Sequence, residues 1–123
     1  MSRKESAATF LKLAGTGKTE DAYARFIAPD FIHHNQYFRG DRGSLKSAMD
    51  DAHAKSPNKL VDVKRIFEDG DFVITHSLVV RGNPSEQDVA VVHIFKFKGD
   101  KVVELWDLGQ LLIKDSPNEN GAF

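Results

Sequence analysis

The spacing of apolar residues changes once along this chain, and that change most constrains what the chain can fold into. In the first half, apolar side chains recur every three or four residues, as at Leu45, Ala48, Met49 and Ala52, which is the period of a helix. From Leu60 onward they alternate with polar residues, which is the period of a strand. Helices followed by a run of antiparallel strands predict an α+β domain.

Turn and capping residues divide these two regions into elements. Three helices are predicted, at residues 7–14, at 19–28 ended by Pro29, and at 44–55 with Ser44 as the cap. A short extended piece at residues 30–35 follows the second helix. Strands are predicted at residues 60–67, 71–80, 91–97 and 102–110, and a three-residue loop, Glu68-Asp69-Gly70, joins the first two.

Length and composition exclude several classes of protein. We expect the 123 residues to form one domain, at residues 1–113, followed by a polar, turn-rich tail at 114–123. A net charge of −1 without a basic stripe argues against a nucleic-acid partner. The absence of cysteine excludes disulfides and thiolate chemistry. No apolar run has the length of a signal peptide or a membrane span, so we expect no membrane partner and a cytoplasmic location.

The last two predicted strands carry polar groups on an otherwise apolar face. An odd, three-residue loop at 98–100 places the ionisable side chains of His93 and Asp107 on one face with four apolar residues: Phe95, Phe97, Val103 and Leu105. A two-residue loop would mix Glu104 with His93, and a one-residue slip flips every side chain, so the cleaner segregation favours the odd loop. Because burying ionisable groups is costly unless they are paired, this face predicts a polar-lined cleft.

Two other histidines are candidates for the same cleft. His76 alternates with apolar residues along the second strand and faces Asp62 in the three-residue-loop register, as part of a pocket or as a structural pair. His34 and Asn35, in the extended piece, either line the pocket or bond to loop backbone. His33 should point the opposite way from His34 and be exposed.

Two motifs resemble those of a known family: Phe31-Ile32-His33-His34-Asn35 and Glu104-Leu105-Trp106-Asp107-Leu108-Gly109-Gln110. With the order of helices and strands, they resemble the SnoaL-like (polyketide cyclase-like) branch of the nuclear-transport-factor-2-like superfamily. The resemblance implies a cone-shaped α+β barrel, with three N-terminal helices packed on a curved antiparallel sheet that encloses a pocket. It also implies that Asp107 is the pocket aspartate, the acid/base of cyclase members, and that His34 is the motif histidine. At His93 many relatives carry aspartate, so the pair here is His/Asp.

The resemblance implies general acid/base chemistry on a small, mostly apolar carbonyl compound, such as an aldol-type cyclisation or an isomerisation. Such reactions need a base for the proton alpha to the carbonyl and a donor for the enolate. Asp107 is the predicted base, His93 its partner, and His34 or His76 the donor. The predicted substrate-binding residues are Asn35, Phe95 and Leu105. A non-catalytic module that binds a hydrophobic ligand, and a dehydratase or epoxide hydrolase, are the alternatives.

The predicted partners are a small ligand and a second copy of the chain. Trp106, Ile94, Val92 and Phe67 place apolar area on the outer sheet face, and the resemblance implies a homodimer through that face. No cofactor is implied. No two histidines have the tight spacing of a preformed metal site, so no metal is predicted.

Overall fold

Three helices and five strands make up the computed structural model, which describes residues 1–123. The elements in chain order are α1 (Arg3–Gly15), α2 (Thr19–Phe26), β1 (Ile27–His33), α3 (Arg42–Lys55), β2 (Leu60–Asp69), β3 (Phe72–Val80), β4 (Val89–Lys98) and β5 (Lys101–Leu111). The predicted α+β class is confirmed. None of the three helices has the length and apolar character needed to cross a bilayer.

The five strands form one open sheet in the order β1-β5-β4-β3-β2, and β1 runs parallel to β5. The prediction of an entirely antiparallel sheet was therefore wrong for β1. The second helix ends at Phe26, and Pro29, expected to follow the helix, lies inside β1. Because β1 is an edge strand, one of its sides has no neighbouring strand, and a residue without an N–H is tolerated there.

Two of the three helices, α1 and α3, begin with a side-chain cap, and α2 does not. Ser2 and Glu5 form a reciprocal capping box at the start of α1. At α3, Asp41 is the cap, and its carboxylate accepts a hydrogen bond from the backbone N–H of Ser44 at 2.9 Å. The prediction of Ser44 as the cap was wrong because the acidic side chain three residues earlier takes that role.

The core lies between the helices and one face of the sheet, which we call the inner face. On this face Phe95 packs edge-on against Phe10 of α1 at a ring-centroid distance of 6.1 Å, and Phe10 contacts Tyr23 of α2 at 5.7 Å. Both phenylalanines are 0% exposed. The alternation of β3 places Val73 and Thr75 on the inner face, where both are fully buried.

A β-bulge sets which residues of β5 face inward. The β4–β5 loop is Gly99-Asp100, because Lys98 pairs with Lys101, so the prediction of a three-residue loop was wrong. A register shift at Val103 then changes the pairing of the strands. Beyond it Lys96 lies opposite Glu104, and His93 lies directly opposite Asp107. The shift restores the predicted face for His93, Phe95, Phe97, Leu105 and Asp107. On that face Val102, which is 1% exposed, takes the place that was predicted for Val103.

The β2–β3 hairpin also differs from the sequence-based register. Asp69 pairs with Phe72, so its loop too has two residues, and a register shift follows between Val63 and Arg65. His76 consequently lies opposite Arg65 and not Asp62. It is on the outer face of the sheet, where its ring contacts that of Phe123 at 4.8 Å.

Candidate active site

Three polar side chains lie side by side on the inner face of the sheet. Thr75 of β3 is directly opposite His93 of β4, and His93 is directly opposite Asp107 of β5. Asn35, just beyond the end of β1, extends this line, because its side-chain amide donates to the Asp107 carboxylate at 3.0 Å. We call Thr75, His93, Asp107 and Asn35 the inner polar row. It occupies one level of an otherwise apolar wall.

Asn35 holds the Asp107 carboxylate in a fixed orientation. Its own side-chain oxygen accepts the backbone N–H of Tyr37 at 3.0 Å, so the amide nitrogen must face Asp107. The other residues around this carboxylate leave it open to a cleft of about 640 Å³, lined also by Arg81 and Val91. An oriented carboxylate that faces an open cleft can accept a proton from a bound molecule.

His93 is half-buried, and its Nδ1 atom is sealed from solvent without a hydrogen-bond partner. Burial lowers the pKa of His93 from 6.5 to about 4, and the negative charge of Asp107 opposes that shift. The imidazole is therefore neutral at pH 7, with one N–H donor and one acceptor nitrogen. The Thr75 hydroxyl beside it is also buried without a partner. Buried polar atoms without partners are uncommon, and they occur at sites that receive a ligand or water.

Tyr23 and Arg42 contribute a second polar group to the interior. The Arg42 guanidinium lies over the Tyr23 ring at 5.2 Å, and the Tyr23 hydroxyl donates to the Met49 sulfur at 3.4 Å. Burial raises the pKa of Tyr23, the Arg42 charge opposes the shift, and the charges of Asp50 and Asp107 add to it. Tyr23 is 1% exposed and belongs to the packed core, as its place on the apolar stripe of α2 predicts.

The two adjacent histidines of the first motif have exchanged places relative to the prediction. His33 is 5% exposed, because parallel pairing with β5 sets it opposite Leu105, which faces inward. Its Nε2 lies 2.6 Å from the Arg39 carbonyl oxygen, and its Nδ1 accepts the backbone N–H of Asn35 at 3.1 Å. His33 therefore positions Asn35, and the prediction that it is exposed was wrong.

His34 lies at the rim of the cleft but faces away from the inner polar row. Its ring stacks on Trp106 at 4.8 Å, and its Nε2 lies 2.6 Å from a carboxylate oxygen of Glu104. Both of these neighbours belong to the outer side of β5. Its exposed ring already has these two partners, and it borders the same cleft as Asp107.

The remaining predicted site residues lie outside the cavities. His76 is on the outer face, and the prediction that it shares a pocket with Asp107 was wrong, because the register shift in β2 and the alternation of β3 turn it away. Phe95 and Leu105 are 0% and 1% exposed, and both belong to the packed core. Neither borders the cleft at Asp107. No three histidine, aspartate or glutamate side chains converge as a metal-ligand set.

A second, smaller cavity of about 120 Å³ opens on the other side of the inner polar row. It lies between α1, α3 and the sheet, and His93 lines it together with Lys59. Asp107 lines the larger cleft and His93 the smaller cavity, so the two spaces approach each other at this cross-strand pair.

Helices on one face of a mixed sheet, with polar side chains turned toward enclosed space, define an α+β domain with an interior pocket. The chain belongs to the SnoaL-like domain family, whose family model matches residues 7–105. This match confirms the resemblance drawn from the two motifs. The comparison with curated proteins found no significant match.

Solved structures share this fold across most of the chain. A candidate polyketide cyclase from Bacillus cereus is 21% identical with a TM-score of 0.77, over 88% of this chain and 74% of that one. An uncharacterised cystatin-fold protein from Novosphingobium aromaticivorans is 24% identical with a TM-score of 0.74, over 88% and 98%. An NTF2-like protein of unknown function from Cytophaga hutchinsonii is 13% identical with a TM-score of 0.72, over 89% and 91%. At these identities the likeness establishes the fold.

Proposed function

We propose that this protein is a cofactor-independent enzyme that performs general acid/base chemistry on a small carbonyl compound. The observation that carries the proposal is the Asp107 carboxylate, which is oriented by the Asn35 amide, faces an open cleft and adjoins a neutral imidazole. A carboxylate next to a neutral donor is the pair of groups that proton removal alpha to a carbonyl requires. The cyclase names carried by structural neighbours agree with such a reaction class.

Each member of the inner polar row has a role in this chemistry. Asp107 removes the alpha proton, and the hydrogen bond from Asn35 keeps its acceptor oxygen aimed at the cleft. His93, which lines the smaller cavity directly opposite Asp107, would donate its N–H to the enolate oxygen of a substrate that spans the two spaces at this pair; sequence reasoning gave that role to His34 or His76. A neutral donor suits this step because it stabilises developing charge without first protonating the base. Aldol-type closure and isomerisation both begin with the same proton removal.

Two other functions use the same cleft. A dehydratase or epoxide hydrolase would employ Asp107 to activate a leaving group or a water. A binding module would hold a hydrophobic ligand without converting it, and the apolar residues that line the cleft, such as Val89, Val91 and Leu111, are compatible with that. The partnerless Nδ1 of His93, which lines the smaller cavity, favours a polar reacting group over a purely apolar ligand.

Hydrogen–deuterium exchange tests the proposal with simple ketones in place of the natural substrate. A panel of small ketones incubated with the protein in D₂O should lose alpha-proton NMR signals faster than without protein. Asp107→Asn should slow this exchange by about a hundredfold, the scale of losing a general base. Its melting temperature should be unchanged or higher, because the variant removes a charge from an apolar wall. Asp100→Asn, in the exposed β4–β5 loop, is the matched control.

Two results would count against Asp107 as the base. If Asp107→Asn exchanges ketone protons at the wild-type rate, the carboxylate is not the proton acceptor. If Asp107→Asn unfolds the protein, the carboxylate is a structural hydrogen-bond centre for the β1–β5 junction. If the wild type binds ketones of the panel but does not accelerate their alpha-proton exchange above the rate without protein, the binding module is favoured.

We also propose that the outer sheet face pairs two copies of the chain. Phe67, Ile74, Ile94 and Trp106 are directly opposite one another on four consecutive strands, and we call them the outer apolar row. Phe67 is 56% exposed, so the row brings apolar area to the surface of the sheet. A two-fold axis through this face would bury the row against its own copy.

A further inference from the structure

Two half-buried lysines, Lys96 and Lys59, have no side-chain partner, and Lys59 is the one that lines the smaller cavity. The residue lies immediately before β2, and its side chain makes no ion pair or hydrogen bond. By contrast, Lys46 and Lys64 are both paired with carboxylates. Glu86, the nearest acidic neighbour of Lys59, is already bound by Arg81, which adds a repelling positive charge.

The surroundings of Lys59 form the smaller of the two cavities on the inner face. The cavity holds about 120 Å³, and an apolar protein cavity of about 150 Å³ accommodates benzene. A ligand of about five non-hydrogen atoms therefore fits. Apart from Lys59 and His93, the cavity is lined by glycine and by the apolar side chains of Leu11, Ala14, Met49, Val61 and Val79.

Such surroundings increase the neutral fraction of the Lys59 amine relative to that of an exposed lysine. Burial lowers the pKa of Lys59, the Arg81 charge lowers it further, and Glu86 opposes the shift. A neutral amine carries a free electron pair and is a nucleophile toward carbonyl carbon. His93, in the same cavity, is neutral and offers both a proton donor and an acceptor.

We propose that the Lys59 amine forms an imine with a small aldehyde or ketone bound in this cavity. The nitrogen electron pair attacks the carbonyl carbon, a C–N bond forms as the carbonyl π bond breaks, and one of the two nitrogen protons passes to the oxygen to give a neutral carbinolamine. The carbinolamine then loses its hydroxyl as water while the nitrogen loses its proton, which leaves C=N and no net charge. His93 is the group that carries protons between these atoms. The inference shares with the proposed function the carbonyl class of ligand and His93, but it does not involve Asp107.

Reductive trapping tests the imine without any turnover. The full chain is incubated near neutral pH with butanal or butanone and sodium cyanoborohydride, which reduces an imine to a stable secondary amine. Peptide mapping by mass spectrometry then gives the alkylation rate at each lysine and at the N-terminus. Lys59 should be alkylated faster than the exposed Lys55, because a larger fraction of its amine is neutral. An equal or slower rate at Lys59 would overturn the proposal.

The size of the aldehyde distinguishes reaction of Lys59 inside the cavity from general reactivity of its amine. A biphenyl aldehyde exceeds the cavity, so it should alkylate Lys55 and leave Lys59 unmodified; equal alkylation of both would show that Lys59 does not react inside the cavity. Lys59→Gln should lose the fast alkylation that the wild type shows at Lys59, and Lys55→Arg should retain it. If Lys59→Gln fails to fold, the site-resolved rates of the wild type still decide. Because trapping needs no proton removal by Asp107, its outcome is independent of the ketone-exchange assay.

Discussion

Acidification should destabilise this protein through His93 in a way that a single substitution can isolate. The folded-state pKa of His93 is lowered to about 4 by burial, whereas an unfolded histidine titrates near 6.5. Between these values the unfolded chain binds a proton at this position and the folded protein does not. The stability contributed by the neutral ring is therefore complete above pH 6.5 and is lost as the pH falls toward 4.

The size of the effect follows from the same two pKa values. Each pH unit within that interval removes about 1.4 kcal/mol from the free energy of unfolding. At about pH 4.5 the loss attributable to His93 should reach about 2–3 kcal/mol relative to pH 7.5. The groups that face His93 are the carboxylate of Asp107 across the strand pair and the amine of Lys59 in the smaller cavity. Both groups are also present in His93→Gln, the variant compared with the wild type, so their own titration affects the two proteins alike.

Urea unfolding monitored by Trp106, the only tryptophan, measures the free energy of unfolding at both pH values. His93→Gln keeps a polar side chain that does not titrate, so its stability should fall by about 2–3 kcal/mol less on acidification than that of the wild type. NMR titration of the wild type should place the midpoint of His93 below 5, and Asp107→Asn should lower it further. Parallel pH dependence of the two proteins, with a normal His93 midpoint, would refute the argument from burial.

Two further predictions concern packing. Trp106→Glu, in the outer apolar row, should convert a dimer into a monomer in sedimentation experiments, while Phe38→Glu, on an exposed loop, should not; a monomeric wild type at micromolar concentration would contradict the homodimer. Gly15→Ala should lower the free energy of unfolding by roughly 1–3 kcal/mol, because a Cβ there would lie 2.5 Å from a methyl carbon of Val61. Gly43→Ala, in the first turn of α3 with no close contact, should be neutral or stabilising by up to about 1 kcal/mol in the same urea experiment.

The pairing of His93 with Asp107 was predictable, but the reason given for it was incomplete. Charge segregation identified the correct face for both residues. Loop length and bulges together decide which side chains of β5 face inward. A two-residue loop with one bulge turns Asp107 to the same face as an odd loop does. Sequence alone could not separate these, and Val103 was misplaced as a result.

The inner face of β3 was harder to predict, because its more apolar side is the outer one. Ile74 and Leu78 alternate with Thr75 and Ser77, and the apolar set was assigned to the interior together with His76. The structure instead buries both hydroxyls completely. The inner face of β3 carries these two hydroxyls between Val73 and Val79, and only the position of the helices reveals which side of the strand is covered.

Asn35 and Asp107 are separated by 72 positions in the sequence and meet across the one parallel strand pair. Contacts between distant parts of a chain form late in folding, because the entropy of closing a large loop must be overcome before they stabilise anything. During synthesis on the ribosome, helices and the β2–β3 hairpin can therefore form well before Asp107 has emerged. Reactivity at Asp107 would be acquired in the final step of assembly, so incompletely folded molecules would bind no substrate.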